Sequence, residues 1–323
     1  MITLVSGAAG FIGFHVANKI LQNKKNIVIG IDNLNSYYDV KLKKKRLSIL
    51  KNNNNFFFKK VDISNLKSLE KVFNENKIKI VINLAAQAGV RYSIKNPNTY
   101  LESNIIGFYN IINLSRIYKI KHFLYASTSS VYGTQNKFPL KEDYSTDKPL
   151  SFYAATKKCN EIIAHSYSNI YGIPTTGFRF FTVYGPYGRP DMALFKFATN
   201  IKKNNKIKLY NFGKHERDFT YITDIVEIVT GIMRKPSKNK IPFEIYNIGG
   251  NKSHTLKYFI SLIEKNLNLK ARFLKLPLQK GDVRRTQAST NKIDKLINKK
   301  EYIKIEIGIK KFFEWLKKHE EFQ

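Results

Sequence analysis

Short β-branched runs alternate with amphipathic stretches through the first half of the chain, the rhythm of a parallel sheet covered by helices on both faces. Strand-length apolar runs fall at Ile2–Ser6, Ile27–Ile31, Phe56–Val61, Ile80–Leu84, His122–Ser127 and Thr175–Phe180. Between them, apolar positions recur at helical spacing near Phe11–Gln22, Leu66–Glu75, Tyr100–Tyr118 and Tyr153–Ile170. Six strands in this order predict an α/β fold built on a doubly wound parallel sheet. After Arg179 the rhythm loosens. Short strands such as Lys206–Tyr210 and Phe243–Ile248 mix with helices near Leu194–Lys202, Ile222–Met233, Leu256–Leu267 and Ile305–Lys318. That mixture predicts a smaller C-terminal α/β lobe that binds substrate. Lys235–Lys240 reads as a basic loop, and no segment repeats.

Composition narrows the class. With 43% hydrophobic residues, the 323-residue chain can bury a sizeable core. No apolar run approaches the length that spans a bilayer, and the N-terminal residues lack the basic and apolar regions of a signal peptide. The single cysteine, Cys159, excludes an internal disulfide, and the six histidines show no metal-ligand spacing. A cytoplasmic protein without a metal or a membrane partner is expected. The net charge of +32 opens the class of nucleic-acid binders. However, the basic residues spread along the whole chain among abundant Lys, Asn and Ile, and no nucleic-acid-binding signature accompanies them. They read as compositional drift, with no nucleic-acid partner, and their field favours capture of a polyanionic substrate.

Chemistry enters at the first strand end. Gly7-Ala8-Ala9-Gly10-Phe11-Ile12-Gly13 joins that strand to the first helix. Glycines there let the backbone turn tightly and approach a pyrophosphate, whose charge the helix N-terminus favours. Asp32 follows 19 residues past Gly13, at the end of the second strand. A carboxylate in that place accepts the ribose hydroxyls of NAD and repels the 2′-phosphate of NADP, against which the basic residues from Lys41 onward must be weighed. Asp62-Ile63 and Leu84-Ala85-Ala86-Gln87 end the third and fourth strands and line the same cleft.

Tyr153-Ala154-Ala155-Thr156-Lys157 sets a phenol and an ammonium on one helix face. A free tyrosine, with a pKa of about 10, is a poor base at neutral pH. A neighbouring Lys157 charge and a positive nicotinamide would both favour the phenolate. Thr128, at the end of the fifth strand, can hydrogen-bond the reacting hydroxyl, and Asn104 is a further candidate for the cluster.

Longer stretches carry a family resemblance: Gly89-Val90-Arg91-Tyr92-Ser93, Thr128-Ser129-Ser130-Val131-Tyr132-Gly133, Val183-Tyr184-Gly185-Pro186-Tyr187-Gly188-Arg189-Pro190-Asp191-Met192-Ala193, and Glu216-Arg217-Asp218-Phe219-Thr220-Tyr221-Ile222. In these the chain resembles the extended short-chain dehydrogenase/reductase family throughout its length, and within it the UDP-glucuronate 4-epimerases. The resemblance implies a Rossmann domain over 1–181 and 213–250, and a nucleotide-sugar lobe over 182–212 and 251–323. It also implies a homodimer, formed through the helices Tyr100–Tyr118 and Tyr153–Ile170, and NAD as a catalytic cofactor that is regenerated each cycle. Tyr153 would take the proton of the sugar 4-hydroxyl with Thr128 and Lys157 assisting. Hydride would leave C4, and the 4-keto sugar would turn over before hydride returns. Arg217 resembles the diphosphate-binding arginine and Asp282 the acceptor for the uridine ribose. Arg284 and Arg285 fit either phosphate contacts or solvent charges.

A uronate raises a hazard, because a ketone at C4 lies β to the C6 carboxylate and β-keto acids lose CO₂ when the breaking bond aligns with the carbonyl. Ser129, Ser130, Thr182 and Arg189 are the candidates for holding that carboxylate out of alignment, with Arg91 as another. Related 4,6-dehydratases and decarboxylases carry an acid where this chain has Ser130. The readings in competition are a 4-epimerase of UDP-glucose or a UDP-N-acetylhexosamine and, from a different class, a basic nucleic-acid-binding or NAD-sensing protein. Sugars of this kind feed polysaccharide biosynthesis.

Overall fold

A computed structural model describes residues 1–319 of the chain. Its strands are β1 (Ile2–Ser6), β2 (Ile27–Asp32), β3 (Phe56–Lys60), β4 (Ile80–Asn83), β5 (His122–Thr128), β6 (Thr175–Phe180), β7 (Thr182–Tyr184), β8 (Lys206–Leu209), β9 (Glu216–Tyr221), β10 (Phe243–Ile248), β11 (Ser253–Thr255) and β12 (Arg272–Lys275). The main sheet runs β10-β6-β5-β4-β1-β2-β3, and every neighbouring pair is parallel. Strand order reverses between β1 and β4, so the loops that leave these two strands part to opposite faces and open a crevice.

Both faces of the sheet are covered, which is why its strands read as nearly continuous apolar runs. Alternate residues feed two cores. Val5, Val28, Ile82, Leu124 and Phe178 face one, with helices Phe11–Leu21 and Ile222–Ile232. Leu4, Ile29, Val81, Phe123 and Tyr125 face the other, with Leu69, Val72 and Phe73 of helix Leu66–Glu75 and with Phe108 and Ile111.

The sheet holds seven strands where the first-half rhythm predicts six. The seventh, Phe243–Ile248, lies in register with β6 from Phe243↔Thr175 to Ile248↔Phe180. In the small sheets the strand expected at Lys206–Tyr210 is β8, while the others come from segments too short or too charged to show a period: β9 pairs β7 in parallel and β11 antiparallel, and β12 pairs β8. Helix Val40–Lys51 was also hidden in the sequence, its six basic residues masking a buried stripe of Leu42, Arg46, Leu47 and Leu50. The helix expected over Tyr100–Tyr118 breaks into Pro97–Tyr100, a π-helical turn at Leu101–Ile106, and Gly107–Ile117. Among the described residues, no helix is long and apolar enough to cross a membrane.

Candidate active site

The crevice floor is built by the loop after β1. Gly7 has φ +69°, and a Cβ there would come within 2.8 Å of the Ala85 amide nitrogen. At Gly13 a Cβ would come within 2.1 Å of the Gly7 carbonyl oxygen, so neither position admits a side chain. Helix Phe11–Leu21 starts from Gly10, which offers no side-chain cap, and its first turn holds no acid. The amides around Phe11 and Ile12 are therefore left to an external anion, as a pyrophosphate requires. Across the crevice, Ser6 Oγ accepts from the Leu84 and Ala85 amides at 3.1 Å each and pins the end of β4.

Asp32 ends β2 and is buried. Its Oδ2 accepts from the Ala9 amide at 3.1 Å and its Oδ1 from Leu34 at 2.8 Å, which fixes the carboxylate while leaving lone pairs for ribose hydroxyls. Burial pushes its pKa up. Two of the basic residues nearby are occupied. All the guanidinium nitrogens of the buried Arg46 donate, to the carbonyls of Ala9, Tyr187 and Gly188 and to the Tyr38 hydroxyl. Lys43 Nζ donates to the Asn35 backbone and side-chain oxygens at 2.8 Å. Neither stands ready for a 2′-phosphate, so the residues present fit NAD. Asp62 accepts from the Ser64 amide at 2.9 Å and from Asn33 Nδ2 at 2.7 Å, while Ile63 is buried against the position of Gly107.

Asn104 does not join the reacting cluster. The π turn directs it inward, where its Oδ1 accepts from the Gln87 amide at 2.8 Å and its Nδ2 donates to the Gln87 carbonyl and Thr156 Oγ1, both at 3.0 Å. It positions the Leu84–Gln87 loop against the helix that carries the phenol.

That helix runs Phe152–Tyr171 and is capped by Ser151, whose Oγ accepts from the Ala154 amide at 3.2 Å. Tyr153, Lys157 and Glu161 fall four residues apart and share the face toward β5. Lys157 Nζ donates to the Ala126 carbonyl at 3.0 Å, and burial lowers its pKa to about 8. Burial pushes the Tyr153 phenol above its ordinary value, opposed by a hydrogen bond with Thr128 and by the field of Arg189. Lys157 stands one helical turn from Tyr153 with its ammonium anchored at the Ala126 carbonyl. Below, sequence reasoning missed a buried support. Arg179 pairs side-on with Glu161 at 2.9 Å for both bonds, and Glu161 accepts from Ser127 Oγ at 2.6 Å. These partners are separated along the chain and no local motif joins them.

At the sugar end, Ser129 and Ser130 open a 3₁₀ turn after β5, and the Ser130 amide donates to Thr128 Oγ1 at 3.2 Å. Thr182 and Arg189, two of the carboxylate candidates, line one cleft with Phe11 and Gly188, at the start of the cofactor helix. Arg91 goes elsewhere. It stacks over the Tyr210 ring at 4.2 Å and lies 4.0 Å from Asp282, so it joins the nucleotide end rather than the carboxylate holders. Arg217 Nη2 donates to Asp282 Oδ1 at 2.9 Å, uniting the two residues assigned to the diphosphate and the ribose. His215, which the sequence did not single out, lies 3.5 Å from the same carboxylate. Arg285 pairs with Glu216 at 3.2 Å and stacks on Phe138, a structural role rather than a free phosphate contact.

Comparison with known proteins agrees with this geometry. Residues 3–249 match the profile of the NAD dependent epimerase/dehydratase family. The chain is 48% identical to the protein CapI of Staphylococcus aureus, covering 98% of each. It is 42% identical to a UDP-glucuronate 4-epimerase of Thermodesulfobacterium geofontis, over 98% of this chain and 96% of that one. Among solved structures, the UDP-glucuronic acid 4-epimerase of Bacillus cereus in complex with UDP-glucuronic acid and NAD superposes with a TM-score of 0.92 at 32% identity, covering 98% of this chain and 99% of that one.

Proposed function

The chain belongs to the NAD-dependent epimerase/dehydratase family and takes NAD as its cofactor, and we propose that it inverts C4 of UDP-glucuronate to give UDP-galacturonate. One observation carries the choice of substrate. Arg189 and Thr182 line one cleft together with Phe11, which opens the cofactor-binding helix. A guanidinium and hydroxyls set there suit a sugar with an anion at C6. The relatives named UDP-glucuronate 4-epimerase support the same reading.

Bound NAD supplies the hydride acceptor and donor for C4. Tyr153, with Thr128 at its hydroxyl, takes the proton of the 4-hydroxyl and gives it back after the sugar has turned. Lys157, anchored on the Ala126 carbonyl, keeps a positive charge under the reacting face. Ser129, Ser130, Thr182 and Arg189 grip the C6 carboxylate and hold its bond to C5 out of line with the C4 carbonyl. No acid stands at Ser130 to serve elimination. Arg217 and Asp282 take the nucleotide. Incubation with UDP-glucuronate, UDP-glucose and UDP-N-acetylglucosamine, followed by separation of the products, should yield a C4 epimer chiefly from UDP-glucuronate. Epimerisation of only the neutral sugars would refute the reading.

The expected homodimer belongs to this proposal. Helices Gly107–Ile117 and Phe152–Tyr171 expose Tyr109, Ile117, Ile162 and Ile170, with Leu101 and Ile106 beside them. Two copies of such a pair complete a four-helix bundle and cover those side chains. Sedimentation at micromolar concentration should give a dimer, and a monomer would contradict it.

A further inference from the structure

Arg189 is already engaged by a carboxylate of its own chain. Its Nε donates to Asp191 Oδ1 at 3.0 Å and its Nη2 to Oδ2 at 2.5 Å, a side-on, two-bond pair. The same Oδ2 accepts from the Tyr37 hydroxyl at 3.2 Å, and the Arg189 guanidinium lies 5.7 Å from the Tyr37 ring centroid. Tyr37 belongs to the loop that follows Asp32, so this contact ties the cofactor end of the crevice to the sugar end. A second carboxylate would bind Arg189 through the same planar geometry, and one edge of a guanidinium serves only one carboxylate side-on.

We propose that Asp191 is an internal carboxylate that the C6 carboxylate of the substrate displaces from Arg189, with Tyr37 keeping its hold on Asp191 throughout, so that Asp191 tempers the preference for a uronate over neutral UDP-hexoses. The inference rests on the uronate reading above. The exchange replaces like with like, so the partly buried guanidinium is never left unpaired, where a lone charge is costly. A neutral hydroxymethyl group has no charge with which to displace Asp191. Asp191 therefore moderates uronate affinity and eases product release, and it leaves neutral sugars indifferent. The alternative arrangement, in which Asp191 stays on Arg189 and steadies it against the substrate, predicts effects of opposite sign.

The test is binding calorimetry on NAD-loaded Tyr153→Phe protein, in which turnover does not interfere. Adding Asp191→Asn should tighten UDP-glucuronate binding roughly tenfold, as expected for loss of a competing charge-assisted contact, and should move UDP-glucose by less than about twofold. Unchanged or weaker UDP-glucuronate binding in a folded Asp191→Asn protein overturns the inference. Tyr37→Phe provides a second arm that does not depend on that variant folding. It removes the partner that Asp191 still has once Arg189 is taken, so the displaced carboxylate loses proportionally more than the paired one and UDP-glucuronate should bind a few-fold more weakly; equal or tighter binding counts against the inference. If the Asp191-intact protein shows no preference for UDP-glucuronate over UDP-glucose, the uronate reading fails first and this inference falls with it.

Discussion

Tyr153→Phe should lower turnover by about a hundred- to ten-thousandfold, the range over which a positioned acid–base group contributes. The substitution keeps the ring and its edge-on contact with Tyr100, 6.1 Å between centroids, and deletes only the ionisable oxygen. Asp32 and the glycine loop lie apart from that oxygen, so NAD binding should survive. Comparing steady-state rates with equilibrium dinucleotide binding separates the two. Retention of more than about a tenth of the wild-type rate would remove Tyr153 from the base role. Burial holds the phenol above its ordinary pKa in the chain alone, and only Thr128 and Arg189 oppose it.

The second large effect concerns the C6 carboxylate. Thr182→Ala or Arg189→Ala, given UDP-glucuronate, should release CO₂ and a 4-keto pentose and leave the dinucleotide reduced. Loss of one charge-assisted contact is worth about 1.5–3 kcal/mol, which shifts the partition between return and leakage by roughly ten- to a hundredfold. Absorbance of reduced dinucleotide rising together with evolved CO₂ is the signature. Slower epimerisation without either would show that these residues do not guard the carboxylate. The Arg189 variant also sets Asp191 loose in the cleft, where its charge repels the substrate carboxylate, so this variant should bind UDP-glucuronate more weakly than Thr182→Ala does.

The parts legible in the sequence were those written in local spacing. The glycine loop, Tyr153 with Lys157, and the buried strands announce themselves within a few residues, because helix and strand periods place those side chains directly. Asp32 could be placed because its strand end was recognisable. What escaped depends on distant partners. Arg91 looked like a sugar ligand until the fold set it beside Tyr210 and Asp282. Asn104 had an ambiguous face until a π turn directed it to Gln87. Arg46, hidden in a lysine-rich run, joins the Ala9 carbonyl to those of Tyr187 and Gly188 and so links the cofactor loop to the chain just before Arg189. The short strands β7 and β11, three residues each, carry too few positions to show a period.

The most direct measurement follows the C4 hydrogen itself. The purified protein is given UDP-glucuronate deuterated at C4, in ordinary water, and the products are examined by NMR. The account predicts UDP-galacturonate that keeps its deuterium at C4, because the hydride that leaves is the one that returns to the opposite face. Deuterium lost to solvent, or no galacturonate at all while UDP-glucose is epimerised, would contradict it.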